Sequence, residues 1–435
     1  MIMKRRTRNN PYDDFRILTD FENLYEAHKS CRKGKLWKDS AAQYDLRALE
    51  STLYLKYLLE SGKYRMSKYH CFQVNERGKT RDIKSTQYKD RVVQKSLHEN
   101  IIIPYIRPYL IYDTGASLKD KGTDFQLERL KEQLEHFIQK YGTDGLFLVG
   151  DMHHFFDTIS HSWLNSWYAA GFSDDLILLL IRHIHATIPG GVGVPLGNQL
   201  SQDDALIAGS PIDHLVKDHF GVEGYGRYND DFYALGRTKD ELKVLLKAID
   251  SKAKSLGLEL NENKTKIVPM TTGINFLGFH IYVTKSGKVV MRIKAKAKSR
   301  LRKRLRKFKK KVEAGQMTYQ DAKLGYQSSI AHYERGNTYY LRQEMDCYFY
   351  SLFEEYLNPE EKKQLKKLRK IKKYREWKRR SNNGKTSLKS SGGKQNQRHR
   401  DNVQRKTDPV DGHGTRSQRG FIREHSSRNQ QHNKP

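Results

Sequence analysis

The chain has 435 residues, a formal net charge of +31 and a sequence pI of about 9.8. This length predicts two or three domains, and so large a positive charge indicates a polyanionic partner, most simply nucleic acid. Three scattered cysteines (Cys31, Cys71 and Cys347) match neither a disulfide framework nor a zinc pattern, and no apolar run approaches the length of a membrane span, so we expect a soluble, cytoplasmic protein.

The first 65 residues are predicted to be helical, because apolar residues recur at three- and four-residue spacing in FENLYEAHKSCRKGK and LRALESTLYLKYLLESGKY. The next stretch, YHCFQVNERGKTRDI (69–83), resembles a β-hairpin rich in cations, with its turn at 75–78. Helices are expected again over 89–110 and 124–140.

Two later segments each deliver acidic side chains. GLFLVGDMHHFF (145–156) opens with an apolar run that ends at Asp151, which predicts a buried strand with an acid at its end. GYGRYNDDFYALG (224–236) predicts a β-hairpin with Asp230 and Asp231 at its tip. The simplest alternative is that the Asp-Asp pair is only a turn and that Asp151 is a helix cap.

If the strand pairs beside the hairpin, three carboxylates meet, and oxygen ligands of this kind hold two Mg²⁺ ions, or Mn²⁺. Two such ions activate an attacking 3′-hydroxyl and stabilise a leaving pyrophosphate. A basic surface that holds a nucleic-acid backbone is the other requirement of that chemistry.

The C-terminal third is more basic still. Thr238 and Glu241 form a capping box that begins a helix ending at Gly257. Residues 292–311 contain 13 basic residues and no acid, yet an apolar stripe runs through this segment and predicts a packed helix with a cationic outer face. Beyond about residue 378 the composition predicts disorder.

The order and spacing of these motifs resemble those of bacterial, retron-type reverse transcriptases over most of residues 20–350. Asp151 followed five residues later by Phe156 resembles the first palm motif, and Tyr228-Asn-Asp-Asp231 resembles the YxDD box. Further matches are a loop after the box (260–265), a primer-grip strand (274–279) and three fingers motifs (78–83, 90–94 and 119–123).

The resemblance implies an RNA-directed DNA polymerase with an α+β, right-hand fold and an antiparallel palm sheet. The expected regions are an N-terminal helical region (1–65), fingers and palm (66–290), a basic helical thumb (291–357) and a basic, largely disordered tail (358–435). Its implied partners are template RNA, a primer or cDNA, dNTPs and a small basic accessory protein.

The resemblance also implies ligands for the metals. Asp151, Asp230 and Asp231 would bind two Mg²⁺ ions, with the carbonyl of Met152 assisting. Lys264 would protonate the leaving pyrophosphate, and the alternative is a solvated loop lysine.

Other residues are implied to bind the nucleotide. Phe156 would lie under its sugar and exclude a 2′-hydroxyl, unless it is a plain core aromatic. Lys79 and Arg81 would bind the triphosphate as charge-assisted donors, unless they are generic surface cations. Gly197 and Gln202 are also expected to contact substrate.

The segment VPLGNQLSQ (194–202) bears on the subgroup. Many reverse transcriptases carry glutamine where this chain has Leu196, and an aliphatic residue there resembles the enzymes of diversity-generating retroelements, which make adenine-biased errors. Asp203 and Asp204, which follow, are interpreted as a helix-start feature. The alternatives are a group II intron-like or antiphage-defence reverse transcriptase and, in another class, an RNA-binding maturase without polymerase activity.

Overall fold

The computed structural model describes residues 13–76 and 79–390, and it groups the described residues up to Lys370 into one compact unit. The α+β fold that the sequence predicts is confirmed, with helices surrounding antiparallel sheets. Within the described residues, no helix combines the length and apolar character that crossing a membrane requires.

Four helices build the N-terminal region: α1 (Asp13–Thr19), α2 (Phe21–Arg32), α3 (Asp39–Leu46) and α4 (Ala48–Glu60). Helix α2 begins after Asp20, whose carboxylate accepts hydrogen bonds from the N–H groups of Glu22 and Asn23 and so satisfies two donors of the first turn. The helices expected here are therefore confirmed from residue 13 onward, and residues 1–12 lie outside the described chain.

The predicted hairpin follows as β1 (His70–Glu76) and β2 (Lys79–Ser85), which pair antiparallel. After it come α5 (Tyr88–Ser96), a π-helical segment (Leu97–Ile102), α6 (Ile103–Ile106), a 3₁₀ turn (Arg107–Tyr109) and α7 (Thr123–Tyr141). The helical structure expected over 89–110 and 124–140 is thus confirmed, and Pro104 and Pro108, which lack the backbone N–H, lie in the short α6 and 3₁₀ segments of the first stretch.

A five-stranded antiparallel sheet holds the acidic residues. Its strands are β3 (Leu146–His153), β4 (Tyr225–Tyr228), β5 (Asp231–Gly236), β6 (Glu259–Leu260) and β7 (Lys266–Pro269). Strand β3 is central, with β5 along one side and both β6 and β7 along the other, and β4 lies beyond β5. This position explains the apolar run of β3, in which Phe147 and Leu148 are fully buried.

Five helices pack around this sheet: α8 (Phe155–Thr158), α9 (His161–Gly171), α10 (Asp175–Ala186), α11 (Leu200–His214) and α12 (Lys239–Ser255). The capping box predicted for α12 is present, since Thr238 and Glu241 exchange side-chain and backbone hydrogen bonds. Gly257 adopts a φ of +73° just past the end of the helix, a conformation that favours glycine.

The last sheet contains β8 (Ile274–Phe276), β9 (Phe279–Val283) and β10 (Val289–Ile293), and it leads into α13 (Ala295–Glu313), α14 (Tyr319–Ala331) and α15 (Tyr339–Leu352). The predicted apolar stripe of α13 is confirmed. Leu301 and Leu305 are buried in a cluster with Tyr326 and Phe349, while many of the lysines and arginines of this helix remain exposed.

The structure departs from the expected disordered tail at its start, because Pro359–Ser390 form one helix, α16. Asn358 and Glu361 cap each other reciprocally at its first turn, and Leu365 and Leu368 are buried against Cys347. The cap and the burial of these two leucines stabilise the start of the helix, and neither contact can be predicted from composition alone. The rest of the expected tail, 391–435, lies outside the described residues.

Candidate active site

Strand pairing brings the three predicted acids together. Strands β3 and β5 pair in a register that sets Asp151 directly opposite Asp231. Asp230 occupies the two-residue turn before Asp231, and its carbonyl accepts a hydrogen bond of 3.0 Å from the N–H of Met152. The side chain of Met152 is buried, so this residue contributes to the site through its backbone.

A buried ion pair fixes the turn that carries Asp230. Asn229 adopts a φ of +54°, which asparagine tolerates better than most residues. Its carbonyl accepts a 3.1 Å hydrogen bond from Nη1 of Arg227, a fully buried side chain that also pairs with Asp213 at 2.7 Å. Because the guanidinium is fixed between these two partners, the turn is fixed as well.

A lysine from the loop after β6 reaches the same carboxylates. The Nζ of Lys264 lies 2.6 Å from Oδ1 and 2.7 Å from Oδ2 of Asp151, a side chain that is only 5% exposed. Asn261 at the start of this loop donates its side-chain amide to Oδ2 of Asp151 at 3.1 Å and its backbone N–H to the Asp151 carbonyl at 2.7 Å. The loop therefore docks on Asp151 through three groups.

Burial and mutual repulsion perturb the acids. Burial raises the pKa of Asp231 to about 7, and the neighbouring charges of Asp230 and Asp151 add to this effect. The pKa of Asp230 is also raised, chiefly by burial, while Lys264 and Arg81 act in the opposite direction. Burial acts to lower the pKa of Lys264, but its hydrogen bond and charge interaction with Asp151 outweigh this, and the pKa is raised.

These groups fit a hard divalent cation by their chemistry. In the described part of the chain, no group of three or more His, Cys, Asp and Glu side chains is arranged as a ready metal site. The ammonium of Lys264 instead sits on both oxygens of Asp151, where it stands in for a cation. Three clustered, partly buried carboxylate groups that already attract one positive charge are the donor set that Mg²⁺ prefers.

Phe156 and the loop before α11 are joined by backbone hydrogen bonds. Phe156 is half-buried, and its carbonyl accepts a 2.7 Å bond from the N–H of Val194. Two residues further on, the carbonyl of Leu196 accepts from the N–H of Lys84 at 3.1 Å. Gly197 has a φ of +109°, and a Cβ there would lie 3.1 Å from the carbonyl oxygen of Lys84, so the close approach to β2 favours glycine.

The remaining substrate candidates are on β2 and α11. Arg81 is exposed on β2, and its charge acts on Asp230, whereas the side chain of Lys79 lies outside the described part of the structure. Gln202 on α11 accepts a hydrogen bond of 2.6 Å from the hydroxyl of Ser117. This contact shows Gln202 joining two protein segments.

Sequence reasoning missed two positioning elements. Asn261 had a signal, since it belongs to the loop that the motif comparison singled out, but nothing in its spacing identifies its partner Asp151. Arg227 and Asp213 had no sequence signal, because in so basic a chain nothing in the sequence distinguishes a buried, paired arginine from an exposed one.

Residues 68–281, just under half of the chain, match the family described as "Reverse transcriptase (RNA-dependent DNA polymerase)". A comparison with curated proteins gave no match.

Solved structures that resemble this one include two telomerases. Apo telomerase from Candida tropicalis, truncated from its C-terminal domain, shares 14% identity and a TM-score of 0.40 over 56% of this chain and 60% of that one. Telomerase from Candida albicans in complex with the TWJ fragment of telomeric RNA shares 12% identity and a TM-score of 0.42 over 74% of this chain and 68% of that one. This chain thus spans about 60% of the length of the first. Over residues 68–281 the chain is therefore similar to the family of reverse transcriptases.

Proposed function

We propose that the chain copies an RNA template into cDNA by two-metal-ion nucleotidyl transfer, with Asp151, Asp230 and Asp231 as metal ligands. The observation that carries this proposal is the strand register that sets Asp151 opposite Asp231 and beside Asp230. Clustered carboxylates of like charge are costly to bury, and burial already raises the pKa of Asp231 to about 7. A bound cation removes that cost, so the cluster has a reason to exist in a metal-binding enzyme.

The chain's own groups suit the reaction. In it, the primer 3′-oxygen forms a bond to the α-phosphorus of the dNTP, and the bond to pyrophosphate breaks. Bound Mg²⁺ lowers the pKa of the 3′-hydroxyl and stabilises the departing charge. Asp151, Asp230 and Asp231 hold the cations, and the Arg227–Asp213 pair holds the turn in place. Lys264, whose ammonium lies beside these carboxylates on Asp151, would be the group available to protonate the pyrophosphate.

Selection of deoxynucleotides is assigned to Phe156. Its half-buried ring lies in α8, three residues after the end of β3, and its carbonyl accepts a hydrogen bond from the N–H of Val194, which fixes the backbone that would present the ring to a 2′-hydroxyl. Arg81, which is exposed on β2, is a candidate donor to the triphosphate, and its positive charge already acts on Asp230. Lys79 is proposed for the same role from its place in the sequence motif.

The biological setting proposed is a bacterial mobile or diversity-generating retroelement, acting in the cytoplasm on template RNA, with a small basic accessory protein as a further partner. Leu196 supports the diversity-generating assignment, because an aliphatic side chain lacks the amide that glutamine would offer the nucleotide. A group II intron-like or antiphage-defence enzyme would present the same three carboxylates. A maturase without polymerase activity is disfavoured, since it would keep a repulsive acid cluster without using it.

The decisive test is primer extension on a defined RNA template with dNTPs and Mg²⁺. The double variant Asp230→Asn/Asp231→Asn should lose incorporation while its RNA affinity stays within a few-fold, because the basic surfaces are unchanged. Asp240→Asn is the matched control, since this acid is exposed on α12 and pairs only with Lys243. Incorporation by the double variant at the wild-type rate would refute the assigned site.

A further inference from the structure

The connection from α10 to α11 ends in a short loop that is buried near both ends and accessible in its middle. Residues 193–199 are called the pre-α11 loop below. Val194 and Asn198 are each only 4% exposed, whereas Leu196 is half-buried and Gly197 is exposed. The positions of Leu196 and Gly197 therefore depend on the groups that hold the buried parts of the loop.

His161, the first residue of α9, holds the beginning of this loop. Its side chain is 6% exposed, and its Nε2 donates a hydrogen bond of 2.7 Å to the carbonyl of Gly193. The backbone N–H of Gly193 in turn donates to the carbonyl of Ile159 at 2.9 Å. Gly193 has a φ of +88°, and a Cβ there would lie 3.1 Å from the carbonyl oxygen of Asp157, so this close approach to α8 favours glycine.

Further buried groups orient the ring of His161. The imidazole of His185 stacks on it, with ring centres 5.3 Å apart and an angle of 21° between the planes. Nε2 of His185 lies 3.2 Å from Oδ2 of Asp204, and the hydroxyl of Tyr168 donates to Oδ1 of the same carboxylate at 2.9 Å. All four side chains are buried. Asp204 thus acts on His161 through His185.

Gln94, on α5, holds the other end of the loop. Its side chain is 1% exposed, and its Oε1 accepts hydrogen bonds from the N–H groups of Gln199 at 3.1 Å and Leu200 at 3.4 Å. These N–H groups stand at the start of α11, where the side chain of Gln199 makes no capping hydrogen bond. An amide from a remote helix therefore satisfies donors that a local cap would otherwise satisfy.

The two buried side chains act on one short segment of backbone. Between their contacts, the carbonyl of Leu196 also accepts a hydrogen bond of 3.1 Å from the N–H of Lys84 on β2. A backbone fixed at its ends and in its middle has already lost conformations that a free loop would lose on binding a ligand. The loop is therefore preorganised at Leu196 and Gly197, the residues that it leaves accessible.

We propose that His161 and Gln94 are positioning residues for nucleotide binding, because they fix both ends of the pre-α11 loop and so set where Leu196 meets the dNTP. Their role rests on the proposed function, in which the nucleotide lies against Leu196. Both side chains act through the backbone of the loop and not on the reacting atoms. Removing either should consequently raise the KM for dNTP more than it lowers kcat.

The test is steady-state primer extension by the full chain on a defined RNA template, with the concentration of one dNTP varied. His161→Leu removes the buried donor and should raise KM about fivefold, while kcat changes by less than about twofold. His161→Gln carries an amide N–H that can replace the Nε2 donor, so it should restore most of the affinity. Gln94→Met keeps the side-chain length without the acceptor and should resemble His161→Leu. The double variant should exceed the larger single effect only slightly, because both residues act through one loop.

His28→Leu is the matched control for the loss of a buried histidine. His28 is 1% exposed, and its ring nitrogens lie 3.0 Å from a carboxylate oxygen of Asp45 and from the hydroxyl of Tyr88. This variant should lower the melting temperature but leave the KM for dNTP unchanged. Hydrogen exchange without nucleotide reports on the loop itself, and peptides covering 193–199 should exchange faster in His161→Leu and Gln94→Met but not in His28→Leu.

The outcomes separate this role from the polymerase activity. Absence of incorporation by the wild-type chain would refute the proposed function. Wild-type incorporation together with an unchanged KM in His161→Leu and Gln94→Met would refute the positioning role alone. Equal rises of KM in His161→Leu and His28→Leu, or in His161→Leu and His161→Gln, would also overturn it, because the effect would then follow from lost packing and not from the hydrogen bond to Gly193.

Discussion

Asp151 and Asp231 face each other directly across the antiparallel pair of β3 and β5, and Lys264 closes on both oxygens of Asp151 from the opposite side of β3. In this arrangement two acids are brought together by strand register and one of them is neutralised by a lysine. Asp231 has no such partner, and burial with its acidic neighbours raises its pKa to about 7. Burial and these neighbouring carboxylates therefore favour the protonated form of Asp231 up to about pH 7.

The raised pKa of Asp231 makes stability depend on pH. The folded state holds the Asp231 proton up to about pH 7, whereas an unfolded Asp releases it near pH 4. The associated stability is fully present below about pH 4 and is lost as the pH rises through 7. Asp231→Asn should therefore melt near the wild-type temperature at pH 4.5 and above it at pH 8.

Thermal melts in EDTA at these two pH values measure this effect. Asp240→Asn serves as the control, because the pKa of Asp240 is lowered by Lys243 and its removal should bring no gain at pH 8. A melting-temperature difference between Asp231→Asn and wild type that does not change with pH would contradict the assigned pKa.

Because Lys264 contacts both carboxylate oxygens of Asp151, we expect it to compete with metal ions for that side chain. Replacing it with Gln removes the ammonium that lies within 2.7 Å of both carboxylate oxygens, so Mn²⁺ should bind the free protein several-fold more tightly. Incorporation should nevertheless become slower, because the variant lacks the ammonium that we propose protonates pyrophosphate. Electron paramagnetic resonance of free Mn²⁺ reports the first effect and single-turnover extension the second. Weaker Mn²⁺ binding by Lys264→Gln would show that Lys264 organises the acids and does not compete for them.

The buried ion pair between Arg227 and Asp213, which fixes the Asn229–Asp230 turn, should contribute strongly to the free energy of unfolding. Arg227→Met leaves Asp213 buried without its cation, and breaking such a pair costs about 3–5 kcal/mol. Urea unfolding measures that loss. Polymerase activity at a temperature where the variant is folded should also fall, because Asn229 loses the donor that fixes its carbonyl. Lys217→Met, which removes a partly exposed cation paired with Asp113, is the comparison and should cost much less.

Phe156→Val should admit ribonucleotides. The smaller side chain opens space where the ring is expected to meet a 2′-hydroxyl, while its backbone bond to Val194 is unchanged. Extension with a single rNTP in place of each dNTP measures the effect, and the ratio of rNTP to dNTP incorporation should rise at least tenfold. Phe155→Leu is the control for core packing, because that neighbouring ring is fully buried. Unchanged discrimination in Phe156→Val would leave Phe156 as a packing residue.

Local signals in the sequence predict much of this structure. The apolar run before Asp151 identifies the central strand, and Tyr228-Asn-Asp-Asp231 identifies the hairpin, because strand and turn propensities act over a few residues. The cap of α16, formed by Asn358 and Glu361, is also a signal within a few residues of sequence. The basic, polar composition of the segment instead favoured the prediction of disorder.

Contacts between distant segments could not be predicted. Lys264 and Asp151 are 113 residues apart, so only the fold shows that they pair. The sequence predicts that Asp203 and Asp204 are helix-start acids, and α11 does begin at Leu200, but both side chains are fully buried. Asp203 contacts His98, while Asp204 accepts from Tyr168 and contacts His185. These pairs join helices that are remote in sequence.

Leu196 carries the last prediction, which concerns copying errors. The side chain of Leu196 is half-buried in a loop that two backbone hydrogen bonds fix. The N–H of Lys84 donates to the carbonyl of Leu196, and the N–H of Val194 donates to the carbonyl of Phe156. A glutamine at this position would therefore be presented from a defined backbone. One hydrogen bond to the nucleotide contributes about 0.5–1.5 kcal/mol, and about 1.4 kcal/mol is a tenfold change in rate.

If only a well-seated base pair brings the nucleotide within reach of that amide, the bond favours correct over incorrect incorporation. Leu196→Gln should then lower misincorporation opposite template adenine by up to about tenfold, more than opposite the other bases, with total activity nearly unchanged. Sequencing of cDNA that both proteins make from one RNA template measures the error spectrum, and Leu196→Met controls for side-chain size without adding an amide. Equal spectra for Leu196→Gln and wild type, or a wild type already accurate at adenine, would remove the proposed diversity-generating assignment, because that assignment rests on Leu196.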